Sequence, residues 1–242
     1  MIERRDWRPE DVIGLVLRVL IAFVVAGLVQ SLVLPVAGGS AGEPGPRTWL
    51  ALVAGQVCLH GALLVSMRGF LRKHRLGWSE GFGLRVGGCA RAIGTGILAG
   101  LAFLPAAYGL QWAVGSWLKS LGVDMPSQAA IRVLTEADLL GRSAIFVTAA
   151  LVAPWVEEML FRGVLYPFVR DLGWPRLALW GTALAFGLVH ANRSVFVPLT
   201  VFGYLLGLLY RHSGNLLVPV AAHVTFNTAP FVLLALGIRV DA

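Results

Sequence analysis

Charge is scarce in this chain. Of 242 residues only 14% are Asp, Glu, Lys or Arg, while 57% are hydrophobic, and the mean hydropathy is +0.75. A soluble globular domain carries about 25% charged residues, so this composition excludes that class and leaves a membrane one. Cysteine is scarcer still. Cys58 and Cys89 stand alone, without CxxC spacing, which excludes a disulfide framework and reads as two reduced packing residues. Acidic residues number 13 against 20 Lys and Arg, for a net charge of +7. In an apolar chain that balance comes from arginine-rich loops between spans. Exposed aromatics do not interleave with the basic residues, so nucleic acid is excluded as a partner. Also missing are an HExxH pair and any serine in a nucleophile-elbow sequence.

What the chain has is long apolar runs. A bilayer core of about 30 Å takes roughly 20 apolar residues per helical crossing. Seven windows qualify, near Val12–Val36, Trp49–Met67, Ala90–Leu118, Ser143–Val169, Pro175–His190, Val195–Tyr210 and Leu216–Gly237. An eighth helix would come from a split of the long third or fourth window. The first run is too long for a signal-peptide core and reads as a retained span. Backbone groups in lipid must be satisfied within the helix. The expectation is therefore an all-α polytopic transmembrane bundle of about 7–8 spans, forming one membrane domain over 1–242. Its N-terminal spans cover about 12–118, and a core over about 143–237 carries the polar motifs.

Arg4, Arg5 and Arg8 precede the first span, and Arg68, Arg72, Lys73 and Arg75 follow the second. Arg170 and Arg176 flank the turn after the fourth, and Arg211 follows the sixth. With seven spans all four clusters fall on one side, which predicts a cytoplasmic N-terminus in the inner membrane. The 119–142 link reads either as a short amphipathic interfacial helix built on Ile131, Leu134 and Leu139 or as a solvated connector. Gly94, Gly96 and Gly100, and Gly203 and Gly207, are spaced for close helix approach. Arg18 snorkels or meets a buried acceptor, and His60 reads as packing.

Against this background "VEEMLFRG" (156–163) places two carboxylates and an arginine inside an apolar run. Charges at membrane depth face a bundle interior or cavity and pair there. Glu158 and Arg162 are i, i+4 with the acid first, the favourable order. Glu157 projects about 100° away and is left uncompensated. Pro154, one turn earlier, cannot donate to the helical ladder and opens it before the pair. Further polar groups sit in "FGLVH", ending in His190, and in "HVTFN", with His223 and Asn227 on one face. If the fourth and fifth spans form a hairpin about Gly173, Glu157 and His190 both lie about 24 to 26 Å from the turn and can face each other.

A carboxylate in apolar surroundings is a better base than one in water. Glu157 therefore suits the abstraction of a proton from water, with His190 orienting that water. His223 and the Asn227 amide can donate to the oxyanion formed when water attacks a peptide carbonyl. This chemistry needs no cofactor.

The motifs EExxxR ("EEMLFR"), FxxxH ("FGLVH") and HxxxN ("HVTFN"), in this order, resemble the CAAX protease and bacteriocin-processing (CPBP or ABI) family of intramembrane glutamate endopeptidases. That family includes the type II CAAX prenyl endopeptidase. The resemblance covers about 147–231. It implies Glu157 as the base, with His190 also holding the water, and His223 with Asn227 as the oxyanion site. Glu158 and Arg162 become the supporting pair, and the substrate a membrane-associated, in some members prenylated, protein or peptide. Two other readings remain open. One is a zinc metalloprotease using Glu157, His190 and His223, although an asparagine is a poor fourth ligand. The other is a non-catalytic scaffold or immunity protein that binds a peptide with the same cluster.

Overall fold

The computed structural model describes residues 5–38, 45, 47–84, 88–123 and 129–238. Nine helical stretches follow in order: α1 (Pro9–Val36), α2 (Trp49–Lys73), α3 (Trp78–Phe82), α4 (Cys89–Ser120), α5 (Ala129–Glu136), α6 (Leu139–Asp171), α7 (Pro175–Val189), α8 (Arg193–Ser213) and α9 (Leu217–Ala235). No strand occurs among the described residues. Six of these helices are long and apolar enough to cross a membrane. The seventh apolar helix, α7, has 15 residues, which rise about 22 Å and fall short of a bilayer core of about 30 Å. Neither long window splits: α4 runs unbroken through Pro105, and α6 continues for 33 residues. This is an all-α polytopic membrane bundle.

Local chemistry sets the ends that matter. The α6–α7 turn passes through Gly173 at φ 95°, and Gly214 ends α8 at φ 62°, conformations that glycine adopts without strain. Pro175 opens α7 where a helix has no use for its N–H. Asp138 caps α6 by accepting from the Gly141 N–H at 2.7 Å, and Asn192 caps α8 by accepting from the Ser194 N–H at 3.0 Å. In the 119–142 link, α5 buries Leu134 against Trp49 and Ile145, whereas Leu139 is exposed at the start of α6. The amphipathic helix therefore stops short of Leu139.

Cross-links gather the basic clusters at one end of the bundle. The Arg5 N–H donates to Asp171 at 2.8 Å, and the Arg5 guanidinium donates to the Glu80 carbonyl at 2.7 Å. Lys73 pairs with Asp11, and His74 Nε2 lies 3.3 Å from the same carboxylate. Arg4 lies outside the described residues. Arg18 faces outward from α1 and donates from Nε to the Gly14 carbonyl one turn nearer this basic end, as a snorkelling arginine does.

The core joins α1, α2, α4, α6, α7, α8 and α9 around Phe186, Phe202 and Leu206. Helices α4 and α9 approach closely. A Cβ at Gly96 would lie 2.4 Å from the Val218 carbonyl oxygen, and one at Gly100 would lie 2.7 Å from that of Ala222. A Cβ at Gly94 would meet nothing within 4 Å, so that glycine takes no part in the approach. A Cβ at Gly203 or Gly207 would meet α7, at Ala183 and Leu179 respectively.

Candidate active site

The site is built on α6, which is not uniformly α-helical. Residues Phe146–Val152 and Met159–Leu165 are π-helical, and between them runs a single α segment, Ala153–Glu158. Both π segments end just before a proline, Pro154 and Pro167, each at the second position of the α segment that follows. A proline removes a donor and crowds the preceding turn, and a wider turn relieves both. In the first segment the Ala153 N–H reaches back to the Thr148 carbonyl. Continued one step, this i to i−5 pattern would give the Ala149 carbonyl a donor from residue 154, which is proline. Asn227 fills that position, donating from Nδ2 to the Ala149 oxygen at 3.0 Å.

The acid pair divides as its spacing requires. Arg162 Nη1 donates to Glu158 Oε1 at 2.9 Å, and both side chains are fully buried. Its Nη2 donates to the Gly203 carbonyl of α8 at 2.6 Å. One guanidinium fork therefore ties the acid to a second helix. Glu157, about a fifth exposed, has no cation of this kind, and its buried Oε2 has no hydrogen-bond partner.

The histidines distribute themselves differently from the sequence expectation. His223, buried on α9, lies with Nδ1 3.0 Å from Glu158 Oε1 and Nε2 3.9 Å from Glu157 Oε2, and so sits between the two carboxylates. His190 makes no hydrogen bond or ion pair to Glu157. Its Nδ1 lies 2.8 Å from the Phe186 carbonyl, at the point where α7 ends and Ala191 turns with φ 49°. His190 and Asn227 instead line a common cavity of about 550 Å³. His223, one turn before Asn227 on α9, lies about 6 Å further along the helix axis.

Phe186 joins the two groups. Its ring centroid is 5.1 Å from that of His190 and 5.4 Å from that of His223, and the Arg162 guanidinium stacks over it at 4.9 Å. Phe202 holds His223 from another side at 5.5 Å. Sequence reasoning gave these aromatics no role. The phenylalanine that opens "FGLVH", one turn before the histidine, was the available signal. Also missed were the cavity residues outside the motifs: Tyr108 and Gln111 on α4, Ile131 and Leu134 on α5, and Asn192. Among the described residues no three His, Cys, Asp or Glu side chains converge as a metal-binding group.

This arrangement can hold a water between a carboxylate and an imidazole, beside a largely apolar cavity whose wall carries His190 and Asn227 among its polar groups. Comparison with known proteins agrees with the motifs. The family model described as type II CAAX prenyl endopeptidase Rce1-like matches residues 140–229, a stretch that contains all six polar residues of the cluster. "Uncharacterized protein YpbD" of Bacillus subtilis is 39% identical over 83 residues, 33% of this chain and 39% of that relative. "Putative membrane peptidase YdiL" of the same organism is 26% identical over 102 residues, 42% of this chain and 40% of that relative. The chain thus spans about two fifths of these curated relatives. No solved structure matches it. Residues 140–229, about a third of the chain, are thus similar to the family of Rce1-like type II CAAX prenyl endopeptidases.

Proposed function

We propose that this protein is an intramembrane endopeptidase that cleaves a membrane-associated protein or peptide with a water activated by Glu157. The observation that carries the reading is the asymmetry of the acid pair. Glu158 is compensated by Arg162, whereas Glu157 keeps a buried carboxylate oxygen that accepts no hydrogen bond and faces His223. A gap of 3.9 Å is too long for a direct hydrogen bond and short enough for one water to bridge.

In the proposed reaction Glu157 removes a proton from that water as its oxygen attacks the carbonyl carbon of the scissile peptide. His223, its Nδ1–H turned to the Arg162-paired carboxylate, shares the proton at Nε2. The Nε2–H then donates to the developing oxyanion together with the second Nδ2–H of Asn227. His190, with Nδ1 directed at the Phe186 carbonyl, orients the incoming water from the cavity side. Collapse of the tetrahedral intermediate breaks the C–N bond, and the one abstracted proton returns from His223 Nε2 through Glu157 to the leaving nitrogen. No acyl-enzyme forms and no cofactor is used. The chain sits in the inner membrane with the basic end, and hence the N-terminus, in the cytoplasm.

Proteomic comparison of membranes carrying the wild type and Glu157→Gln tests this. The expected result is one or more peptides whose cleavage disappears with that single carboxylate while the variant accumulates normally. A cellular phenotype that survives Glu157→Gln would replace the protease with a peptide-binding scaffold. Stoichiometric zinc whose removal by chelator abolishes cleavage would replace the water-activating glutamate with a metalloprotease.

A further inference from the structure

Away from the acid cluster, the basic end of the bundle holds a groove of about 460 Å³ between the last turns of α2 and the start of α3, lined by Arg68, Leu71, Arg72, Leu76, Gly77 and Trp78. We infer that this groove is a binding site for the phosphodiester headgroup of an anionic phospholipid, gripped by Arg68 and Arg72 with Trp78 alongside.

Depth is the first support. From Trp49 to Met67 α2 carries no Asp, Glu, Lys or Arg, and these 19 residues rise about 28 Å, close to one hydrocarbon thickness. Arg68 is the first charge beyond that run and so stands where headgroups begin. Arg72 lies one turn further on the same face.

Their lack of partners is the second. Lys73 is taken by Asp11 and the Arg5 guanidinium by the Glu80 carbonyl. Arg68 and Arg72 make no hydrogen bond or ion pair with any described residue, and both side chains are exposed. Two uncommitted guanidinium forks at headgroup level are complementary to phosphate oxygens, which they can bind bidentately.

The third is the way the groove is closed. Arg75 turns the chain with φ 56°, and the Leu76 N–H returns to the Leu71 carbonyl at 3.0 Å. The chain thereby folds back so that Trp78 forms the far wall, with its ring 5.9 Å from that of Phe82. Leu76, backed by the buried Leu71, supplies the apolar surface against which the first acyl carbons rest, and a tryptophan at the interface is at home between tails and headgroups.

Native mass spectrometry of the delipidated protein in detergent tests the inference, with phosphatidylglycerol, phosphatidylcholine and inorganic phosphate as probes. Wild type should retain phosphatidylglycerol over phosphatidylcholine. Arg68→Gln/Arg72→Gln should lower that occupancy about tenfold, as expected for loss of charge-assisted contacts. Arg68→Lys/Arg72→Lys, which keeps the charge and loses the fork, should fall between. Arg211→Gln, at the same end but outside the groove, should bind as wild type and controls for general electrostatics. Equal retention of the two lipids by wild type would overturn the site, as would undiminished phosphatidylglycerol binding by the double glutamine variant. Full displacement of the lipid by millimolar inorganic phosphate would make a free anion the occupant and sink the lipid assignment.

Discussion

Arg162 gives the sharpest quantitative test of how the cluster is held. It is fully buried, donates to Glu158 at 2.9 Å and to the Gly203 carbonyl at 2.6 Å, and stacks on Phe186 at 4.9 Å. Replacement by methionine keeps most of the volume and removes both bonds, leaving buried Glu158 without its guanidinium and with only the His223 ring beside it. Breaking one side of a buried pair costs about 3–5 kcal/mol. For a chain of this length each kcal/mol moves the melting midpoint by roughly 2–4 °C, so Arg162→Met should lower the apparent Tm in detergent by about 6–20 °C. The double variant Glu158→Gln/Arg162→Met removes both charges together and should lose less than Arg162→Met alone, because residues in direct contact do not add. Arg162→Lys should not rescue the single variant, since a point ammonium cannot serve a carboxylate on its own helix and a carbonyl on another. A drop of less than about 2 °C in Arg162→Met, which is under 1 kcal/mol by the same conversion, or strict additivity in the double variant, would refute the clamp.

Other outcomes follow from the same geometry. Glu157→Gln should leave the apparent Tm unchanged or raise it, since it relieves a buried carboxylate with no partner, while cleavage falls by about 10²–10⁴, the usual share of a general base; a large loss of Tm would make Glu157 structural. Gly100→Val should destabilise by at least about 1–3 kcal/mol, because the new atoms meet the α9 backbone, whereas Gly94→Ala should be neutral or stabilising by up to roughly 1 kcal/mol; comparison of the two melting curves checks the α4–α9 approach. Tyr108→Phe and Gln111→Leu, in the cavity wall outside the family-matched residues, should change which peptides are cut more than how fast a tolerated one is cut, as read from cleavage profiles of a peptide library. Packing of His74 against Trp7 and Phe70 desolvates its ring and, with Arg8 and Lys73 nearby, outweighs Asp11 to hold the imidazole below its usual titration range. A histidine kept neutral in the fold stabilises at pH above its unfolded value near 6.5. That contribution fades as pH falls through the folded value, so melting should weaken from pH 7 to pH 5 by a component missing in His74→Gln.

The hydropathy of the chain made six long helices readable, and the i, i+4 rule made the Glu158–Arg162 pair readable. Gly173 announced the turn that folds α7 back along α6. The histidine placement was not readable from depth alone. Counting residues from a turn fixes height along an axis, but contact also depends on rotation, and two π segments in α6 change the rotation in a way that an α-helical count omits. Phe186 escaped notice because one more aromatic in an apolar helix looks like packing until the rings on either side of it are seen. The cavity wall escaped because Tyr108 and Gln111 belong to a helix whose sequence carries glycines spaced for packing but no polar motif, and they become relevant only when α4 is drawn against α9.

A π segment is an α-helix carrying a spare residue, and α6 carries one on each side of Glu157 and Glu158. Removing one residue from Phe146–Val152 would let that segment relax to ordinary pitch without losing a helical bond, and would leave the faces on either side nearly in phase, because the wider turn had absorbed the extra residue. The α segment Ala153–Glu158 has no such reserve, and a residue removed ahead of Glu157 within it would turn both carboxylates by about 100° relative to the first half of α6. Helix α6 should therefore accept a single deletion inside a π segment far better than one between the two segments. A deletion in Ala153–Glu158 would mark a descendant that kept the membrane bundle and lost the arrangement of its acid pair.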